Sequence, residues 1–411
     1  MEKLIGKFKQ MLSLRHLASK GVLADEDLEI IEDAGIWVKN GKIVEIGAFE
    51  TLAPKAHKSH IPIEEIVSGN WVLMPSFIDC HTHICFGGNR AKDYALRIAG
   101  KTYLDIAKAG GGILDTVRKT REATFEQLYQ NTQNILDKML KNGVSTIEVK
   151  SGYGLSVAEE IKILEVIKQI SSESPMTIIP TCLAAHTLPP EFSEKEFYLA
   201  HLTEELLPVL SEKKLSKRVD IFVEPSAFPM DIARKYLENA KNQGFEICIH
   251  ADQFSVGGSR LAVELQALSA DHLEASTAEE INLLANSSTV AVVLPGASLG
   301  LGMPFAPARQ LLDAGACVAI STDYNPGSAP MGNLLLQASV LAAQEKLTTA
   351  ETLAAITFRA AQALALPDRG RLETGFWADM IAFACEDYRE ILYWQGQMLP
   401  SILWKEGRRL F

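Results

Sequence analysis

The sequence predicts an α/β fold, a (β/α)8 barrel of the TIM type with a small β-rich domain built from both chain termini. Two observations predict it. Short apolar runs, eight in all, alternate with helix-like segments from about residue 71 onward, which is typical of parallel strands joined by helices. Most of the runs end at a histidine, a carboxylate or a lysine, and the chemistry of such barrels takes place at the carboxyl ends of their strands.

The predicted barrel strands are Trp71–Cys80, Val144–Lys150, Met176–Ala185, Val219–Glu224, Phe245–Ile249, Leu268–Asp271, Thr289–Leu294 and Cys317–Thr322. The polar residues at or just after their ends are His81, His83, Lys150, His186, Glu224, His250, His272 and Asp323. Helices between the strands are expected to begin at capping boxes, in which a serine or threonine precedes a glutamate by three positions. These boxes begin at Ser156, Ser193, Thr277 and Thr348.

The chain is expected to divide into a first part of the small β domain at 1–70, the barrel at 71–368 and a second part of the small domain at 369–411. The strands predicted for the small domain are Gly35–Val38, Lys42–Ile46, Ile63–Val67, Met380–Ala384 and Ile402–Trp404. The first 30 residues carry no assignment.

The composition limits the classes of molecule that the protein is expected to bind. The 411 residues are 47% hydrophobic and 22% charged, which allows a sizeable core, and the net charge of -11 argues against nucleic acid as a partner. The six cysteines form no C-x-x-C pair and are expected to be reduced core residues of a cytoplasmic protein. No signal peptide and no apolar stretch of about 18 residues is evident, so no membrane partner is expected.

A metal site is predicted at the strand ends. His81 and His83 are two positions apart on an extended chain, so their side chains project to the same side. Together with His250 and Asp323 they form a set of imidazoles and a carboxylate that suits zinc or iron and leaves a coordination position for water, as in catalytic sites. Taken alone, the H-x-H pair is a weak signal that more often marks two structural imidazoles.

Several motifs carry a family resemblance. PSFIDCHTH, EVKSGYG, IHADQFS, SADHLE and STDYNPGS occur in this order and closely resemble the motifs of the imidazolonepropionases, a family of the amidohydrolase superfamily. The resemblance runs from about residue 34 to the end of the chain. It implies hydrolytic opening of the ring of 4-imidazolone-5-propanoate to N-formimidoyl-L-glutamate, a step of histidine degradation, on one zinc or iron ion held by His81, His83, His250 and Asp323.

The resemblance also implies the substrate contacts. His186, His272 and Gln253 would surround the substrate ring, and Arg90 and Tyr153 would contact the substrate. A guanidinium matches a carboxylate bidentately, so Arg90 would bind the propionate tail; its alternative is a surface ion pair. Further contacts to carboxylates, through backbone N–H groups and a hydroxyl, are implied for Asn325, Gly327 and Ser328, whose alternative is a tight connection between strand and helix.

Asp323 and His272 are the expected catalytic residues. Asp323 would take a proton from the attacking water and deliver it to the departing nitrogen. His272 would orient that water or stabilise the developing oxyanion; its alternative is a core histidine bonded to a backbone carbonyl. Gln253 stands where ring deaminases of the superfamily commonly have a glutamate, and an amide cannot ionise, which weakens a deaminase interpretation.

Three alternatives stay open from the sequence. Glu224, at the end of the fourth strand, keeps a two-metal site open, although a single metal is favoured. The enzyme alternative is a ring deaminase or another cyclic amidohydrolase, because a fold does not fix a reaction. The remaining alternative is a metal-binding barrel without catalysis. The resemblance suggests a homodimer.

Overall fold

A computed structural model describes residues 2–66, 69–101, 105 and 109–411. The strands are β1 Glu2–Leu12, β2 Ile30–Lys39, β3 Lys42–Ala48, β4 Ile63–Glu65, β5 Trp71–Pro75, β6 Phe77–Asp79, β7 Val144–Lys150, β8 Thr177–Ala185, β9 Arg218–Phe222, β10 Glu246–Ala251, β11 Ser269–His272, β12 Val290–Val293, β13 Val318–Ile320, β14 Met380–Ala384, β15 Ile402–Lys405 and β16 Arg408–Arg409.

The helices are α1 Phe49–Lys58, α2 Ala91–Ile98, α3 Ile113–Glu122, α4 Phe125–Lys141, α5 Val157–Glu173, α6 Lys195–His201, α7 Leu207–Glu212, α8 Met230–Asn242, α9 Gly258–Glu264, α10 Ala278–Ala285, α11 Pro295–Leu301, α12 Ala308–Ala314, α13 Leu334–Glu345, α14 Thr349–Ala355, α15 Phe358–Ala363 and α16 Glu390–Tyr393. A 3₁₀ turn lies at Asp25–Asp27 and a π-helical turn at Leu202–Leu206.

Strands β6 to β13 form one parallel sheet in which each strand pairs with the next along the chain, and this confirms the predicted barrel. The sheet closes just past the strand ends, where Thr82 forms a parallel bridge with Tyr324. The carboxylate of Asp79 strengthens this seam by accepting hydrogen bonds from the side chains of Ser321 and Thr322. The closure brings the ends of β6 and β13 together.

The barrel strands are buried on both faces because helices cover the sheet from outside. Every residue of β7 is buried, and Ile147 and Val149 belong to the main core. Helix α5 packs Ile163 and Ile167 against that core. Burial on both sides explains why these strands appear in the sequence as continuous apolar runs.

Three of the four predicted capping residues cap a helix in the structure. The side chains of Ser156, Thr277 and Thr348 accept backbone N–H groups at the starts of α5, α10 and α14. Ser193 does not cap a helix: α6 begins one residue later than the box requires, after Glu194, and Glu194 makes no side-chain cap. That prediction was wrong, since the pattern alone does not place the first helical turn.

The run Trp71–Cys80 is not one strand. Its first half is β5, which pairs with β14 and β1 in a second sheet, and its second half is β6 in the barrel. Only Ser76 separates them, and because both halves are buried the run shows no break in hydropathy. The domain limits at residues 70 and 368 stay a prediction, which limited proteolysis would test.

The second sheet has the order β16-β15-β14-β5-β1-β2-β3, with β4 pairing with β1. Both termini therefore contribute to it, as predicted. Strand β1 lies inside the sheet, so part of the unassigned N-terminal segment is a structural strand. The predicted strand Ile63–Val67 is represented by β4, and Val67 lies outside the described residues.

Two further features bear on expectations from composition. All six cysteines are buried and unpaired. Within the described ranges, no helix has both the length and the apolar character that crossing a bilayer requires.

Candidate active site and metal centre

Three imidazoles and a carboxylate meet at the mouth of the barrel. His81 Nε2 lies 3.1 Å from His83 Nε2, and His250 Nε2 lies 3.2 Å from the same atom. Asp323 Oδ1 is 3.5 Å from His81 Nε2 and 3.4 Å from His83 Nε2. In a tetrahedral site with Zn–N bonds of about 2.0 Å, ligand atoms lie about 3.3 Å apart. Four of the six distances among the predicted ligand atoms thus match the spacing that one ion requires, and His250 joins the set through His83.

The carboxylates next to Nδ1 show which ring nitrogen carries the proton in two of these imidazoles. His81 Nδ1 lies 2.7 Å from Asp271 Oδ2, and His250 Nδ1 lies 3.0 Å from Asp220 Oδ2. A carboxylate at Nδ1 places the proton on that atom and leaves the lone pair on Nε2. The Nε2 lone pairs therefore point into the space shared with His83 and Asp323.

Burial keeps these rings in the neutral form that binds metals. It lowers the pKa of His83 and of His250 to about 4, and it lowers the pKa of His81 well below its usual range. Burial alone would raise the pKa of Asp323, but the contacts with His81 and His83 hold it well below its usual range. Lone pairs and a negative carboxylate that converge on one point repel each other unless a cation lies among them, so the donor set fits a divalent metal ion.

His272 stands next to this group. One of its ring nitrogens lies within 4.8 Å of ligand atoms of His81 and His250. Its Nδ1 is 3.5 Å from Glu274 Oε2. Burial opposes the charged form of the ring, but Glu274 outweighs it and raises the pKa of His272. The sequence left open a core histidine bonded to a backbone carbonyl. In the structure the group that pairs with His272 Nδ1 is instead the carboxylate of Glu274.

Two residues of the site have a strained backbone. His272 has φ 93° and Asp323 has φ 51°, both in the left-handed region that L side chains rarely adopt. Such conformations cost about 1–3 kcal/mol each and persist where surrounding contacts impose them, commonly at functional sites. In Asp323 the strain turns the carboxylate back toward His81 and His83 at the end of β13.

A cavity of 730 Å³ opens from the metal ligands toward solvent. All the predicted substrate contacts line it, namely Arg90, Tyr153, His186, Gln253, Asn325, Gly327 and Ser328. His186 stacks on His83, with ring centroids 5.4 Å apart. Its Nδ1–H donates to the backbone oxygen of Gly152 at 3.0 Å. The cavity therefore has an imidazole wall beside the ligands.

Cations line the outer part of the cavity. The Arg90 guanidinium is mostly buried, with Nε donating to Asp93 Oδ2 at 2.8 Å. A Cβ at Gly327 would lie 2.5 Å from Arg90 Nη1, so the glycine leaves room for that group. Arg97 stands on the same wall and donates to the backbone oxygens of Gly300 and Gly327. The surface ion pair considered for Arg90 thus turns out to be a partly buried pair that orients it into the cavity.

The turn after Asp323 has a different bonding pattern from the one expected. The N–H groups of Gly327 and Ser328 donate to Asn325 Oδ1, at 2.7 and 2.8 Å. The amide of Asn325 donates in turn to Asp323 Oδ2 at 2.9 Å. Both backbone N–H groups and the Asn325 amide therefore belong to the network that holds Asp323, while Asn325 and Ser328 also line the cavity.

Glu224 does not face the metal ligands with a free carboxylate. It accepts hydrogen bonds from the N–H of Phe254 at 2.8 Å and from the hydroxyl of Ser255 at 2.5 Å. Lys150, at the end of β7, is fully buried among carboxylates and is not placed among the ligands. This arrangement favours the single-metal interpretation.

Sequence reasoning missed the residues that support the site. Asp220 and Asp271 orient two of the histidines, Glu274 contacts His272, and Arg97 adds a second guanidinium to the cavity. The sequence did contain a signal for Asp220 and Asp271, because carboxylates inside apolar strand runs are rarely buried without a partner. Arg97 lies on helix α2, where nothing in the local pattern separates it from a solvated charge.

Comparisons with known proteins agree with this architecture. The model of the amidohydrolase family matches residues 72–410. An imidazolonepropionase from Bdellovibrio bacteriovorus is 38% identical over 412 residues, covering 99% of this chain and 96% of that protein. Among solved structures, a triazine hydrolase variant superposes with a TM-score of 0.75 at 16% identity, covering 100% of this chain and 94% of that one. An adenosine deaminase from Xanthomonas campestris with bound zinc has a TM-score of 0.70 at 19% identity, covering 99% and 92%.

Proposed function

The chain belongs to the imidazolonepropionases of the amidohydrolase family, and from that premise we propose that it hydrolyses 4-imidazolone-5-propanoate to N-formimidoyl-L-glutamate in histidine degradation. The observation that carries the proposal is the convergence of His81, His83, His250 and Asp323 at the inner end of a cavity whose outer wall holds guanidinium groups. One end of such a cavity activates water and the other binds an anion.

One zinc or iron ion is the proposed cofactor. His81, His83, His250 and Asp323 would hold it. When bound, a divalent ion lowers the pKa of a water molecule and polarises a carbonyl group. Imidazole and carboxylate accept both metals, so the identity of the ion is a matter for elemental analysis.

Asp323 is the proposed proton carrier. Its low pKa leaves it ionised at neutral pH and able to accept the proton of the water that adds to the ring carbonyl carbon. The bond from that carbon to the ring nitrogen then breaks, and Asp323 returns the proton to the departing nitrogen. The carbonyl becomes the new carboxylate of the product. Asn325 holds Asp323 Oδ2 in place during this exchange.

His272 is the proposed hydrogen-bond donor to the substrate's carbonyl oxygen. Glu274, next to Nδ1, raises the pKa of His272, and the protonated ring would present its other N–H to the cavity. A donor at this position stabilises negative charge as it develops on the carbonyl oxygen. His186 and Gln253 would bind the ring, Tyr153 the ring edge, and Arg90 the propionate tail. Gln253 can form hydrogen bonds but cannot carry a proton away, which disfavours a deaminase.

The test is a product analysis with the purified metal-loaded protein. We expect 4-imidazolone-5-propanoate to be consumed with formation of N-formimidoyl-L-glutamate and without release of ammonia. Ammonia with an intact ring would indicate deamination instead. Stoichiometric metal with no turnover of this substrate would indicate a binding barrel and would end the proposal.

The setting of the enzyme is also proposed. We place it in the cytoplasm, since its six cysteines are unpaired and a reducing compartment keeps them so, and we expect a homodimer, as the family resemblance suggests. Sedimentation equilibrium of the purified chain tests the second expectation.

A further inference from the structure

Lys150 lies behind the metal ligands and has no place in the mechanism above. It ends strand β7 and is fully buried inside the barrel. Its Nζ lies 2.7 Å from Glu148 Oε2 and 2.8 Å from Asp220 Oδ2, and 3.7 Å from Asp271 Oδ2. A buried lysine is rare unless it is paired, and this one has three carboxylates around it.

Two of those carboxylates are the ones that hold metal-binding histidines. Asp220 Oδ2 is 3.0 Å from His250 Nδ1, and Asp271 Oδ2 is 2.7 Å from His81 Nδ1. The same oxygen of each aspartate therefore faces both Lys150 and a histidine. In the described part of the chain, no other lysine or arginine forms an ion pair with either aspartate.

The charges explain why a cation is needed there. Two buried aspartates inside one barrel repel each other, and each would rotate away from its histidine if no cation lay between them. A rotated carboxylate no longer fixes the proton of its histidine at Nδ1. The Nε2 lone pair would then be lost from the site in part of the molecules.

We propose that Lys150 is the positioning residue of the metal centre, which fixes the orientation of His81 through Asp271 and of His250 through Asp220. The inference rests on the proposed metal-dependent function and extends it. Lys150 touches neither the substrate nor the ion, so its effect appears first in metal affinity and only then in turnover.

The experiment measures the zinc affinity of the metal-free protein by competition with a chromogenic chelator. Lys150→Met keeps much of the length of the side chain and removes its charge. We expect zinc affinity to fall about 10- to 100-fold, the range for groups that support metal ligands from behind, and the visible spectrum of the cobalt-loaded protein to change. KM at saturating zinc should change less than the zinc affinity.

Lys405→Met is the matched control. Lys405 is also buried and also paired with an aspartate, Asp379 at 2.7 Å, but it lies on β15 in the terminal sheet. We expect it to lower thermal stability without changing zinc affinity. A general effect of removing a buried lysine would appear in both variants, and a positioning effect only at Lys150.

A second variant tests whether the metal site needs the Lys150 cation at its position or only an unchanged net charge. Lys150→Met with Glu148→Gln removes one positive and one negative charge and leaves both aspartates without their cation. Zinc affinity should stay low in it; recovery to the wild-type value would overturn the proposal. So would unchanged affinity in folded Lys150→Met, or failure of both Lys150 variants to fold while Lys405→Met folds, which would assign Lys150 to stability alone. If the wild-type protein itself binds neither zinc nor iron, the proposed function fails instead.

Discussion

The backbone N–H of Asp323 donates to the backbone oxygen of His81 at 3.1 Å, across the seam where the last barrel strand meets the first. Two proposed metal ligands from opposite ends of the barrel sequence are thereby fixed to each other through the main chain. Asp79 supports the same seam by accepting bonds from Ser321 and Thr322. The ligand set is therefore part of barrel closure, and changes to its side chains can be made without removing the backbone contact.

Asp323→Asn should abolish most turnover while leaving the fold intact. The amide has nearly the shape of the carboxylate but cannot accept a proton, and a positioned general base contributes about 10²- to 10⁴-fold to a rate. We expect kcat to fall by that factor, with an unchanged circular dichroism spectrum. Asp313→Asn, an exposed aspartate on α12, is the control. Near-normal turnover of Asp323→Asn would remove Asp323 from its role.

The sequence allowed the barrel to be predicted, because burial on both faces makes the strands continuous in hydropathy. The four ligands were proposed from the strand ends, and they stay a prediction although the structure brings their side chains together. It did not reveal that Ser76 divides the first run, since both halves are equally apolar. Strand β1 was missed because its lysines interrupt the apolar pattern, although Lys3 pairs with Glu64 on the adjacent β4. The partners of Lys150 could not be deduced, because they come from three strands.

Arg90→Ala should weaken substrate binding. A charge-assisted hydrogen bond is worth about 1.5–3 kcal/mol, so KM should rise about 10- to 100-fold with a smaller change in kcat. Steady-state kinetics measure both constants. Arg118→Ala, on the exposed face of α3, should leave them unchanged. If KM of Arg90→Ala equals that of the wild type, the propionate tail is bound elsewhere, and Arg97 becomes the next residue to vary.

Removal of the metal should abolish turnover and lower stability. A ligand that binds only the folded state stabilises it by about 2.7 kcal/mol at 100 times its dissociation constant. We expect a chelator-treated sample to unfold at a lower temperature and to lose activity, and added zinc or iron to restore both. Magnesium serves as the control, because imidazoles suit it poorly. Full activity after exhaustive chelation, checked by elemental analysis, would exclude the metal from the reaction.

Phe8→Ala should destabilise the terminal sheet. Phe8 is fully buried on β1 and meets Trp404 edge to face, with ring centroids 5.9 Å apart. Truncating a buried phenylalanine costs about 3–5 kcal/mol. Urea unfolding should show a loss of that size, whereas Val44→Ala, at an exposed position of β3, should change the free energy of unfolding by less than about 0.5 kcal/mol. Equal effects of the two substitutions would mean that β1 contributes little to stability.

Asp93→Asn should affect binding only through Arg90. Asp93 Oδ2 accepts from Arg90 Nε and from the N–H of Gly112, both at 2.8 Å, and it makes no contact with the metal ligands. The amide keeps one acceptor but loses the charge that holds the guanidinium, so KM should rise about tenfold, equivalent to about 1.4 kcal/mol.

A double-mutant cycle decides whether that effect passes through the arginine. Residues that act as one unit give non-additive changes, so Asp93→Asn should have no further effect on KM in the Arg90→Ala background. Asp313→Asn, which removes an exposed carboxylate from its pair with Arg309 on α12, should be silent in both backgrounds. If the two substitutions instead multiply in KM, Asp93 acts independently of Arg90, by holding the chain at Gly112 over the cavity.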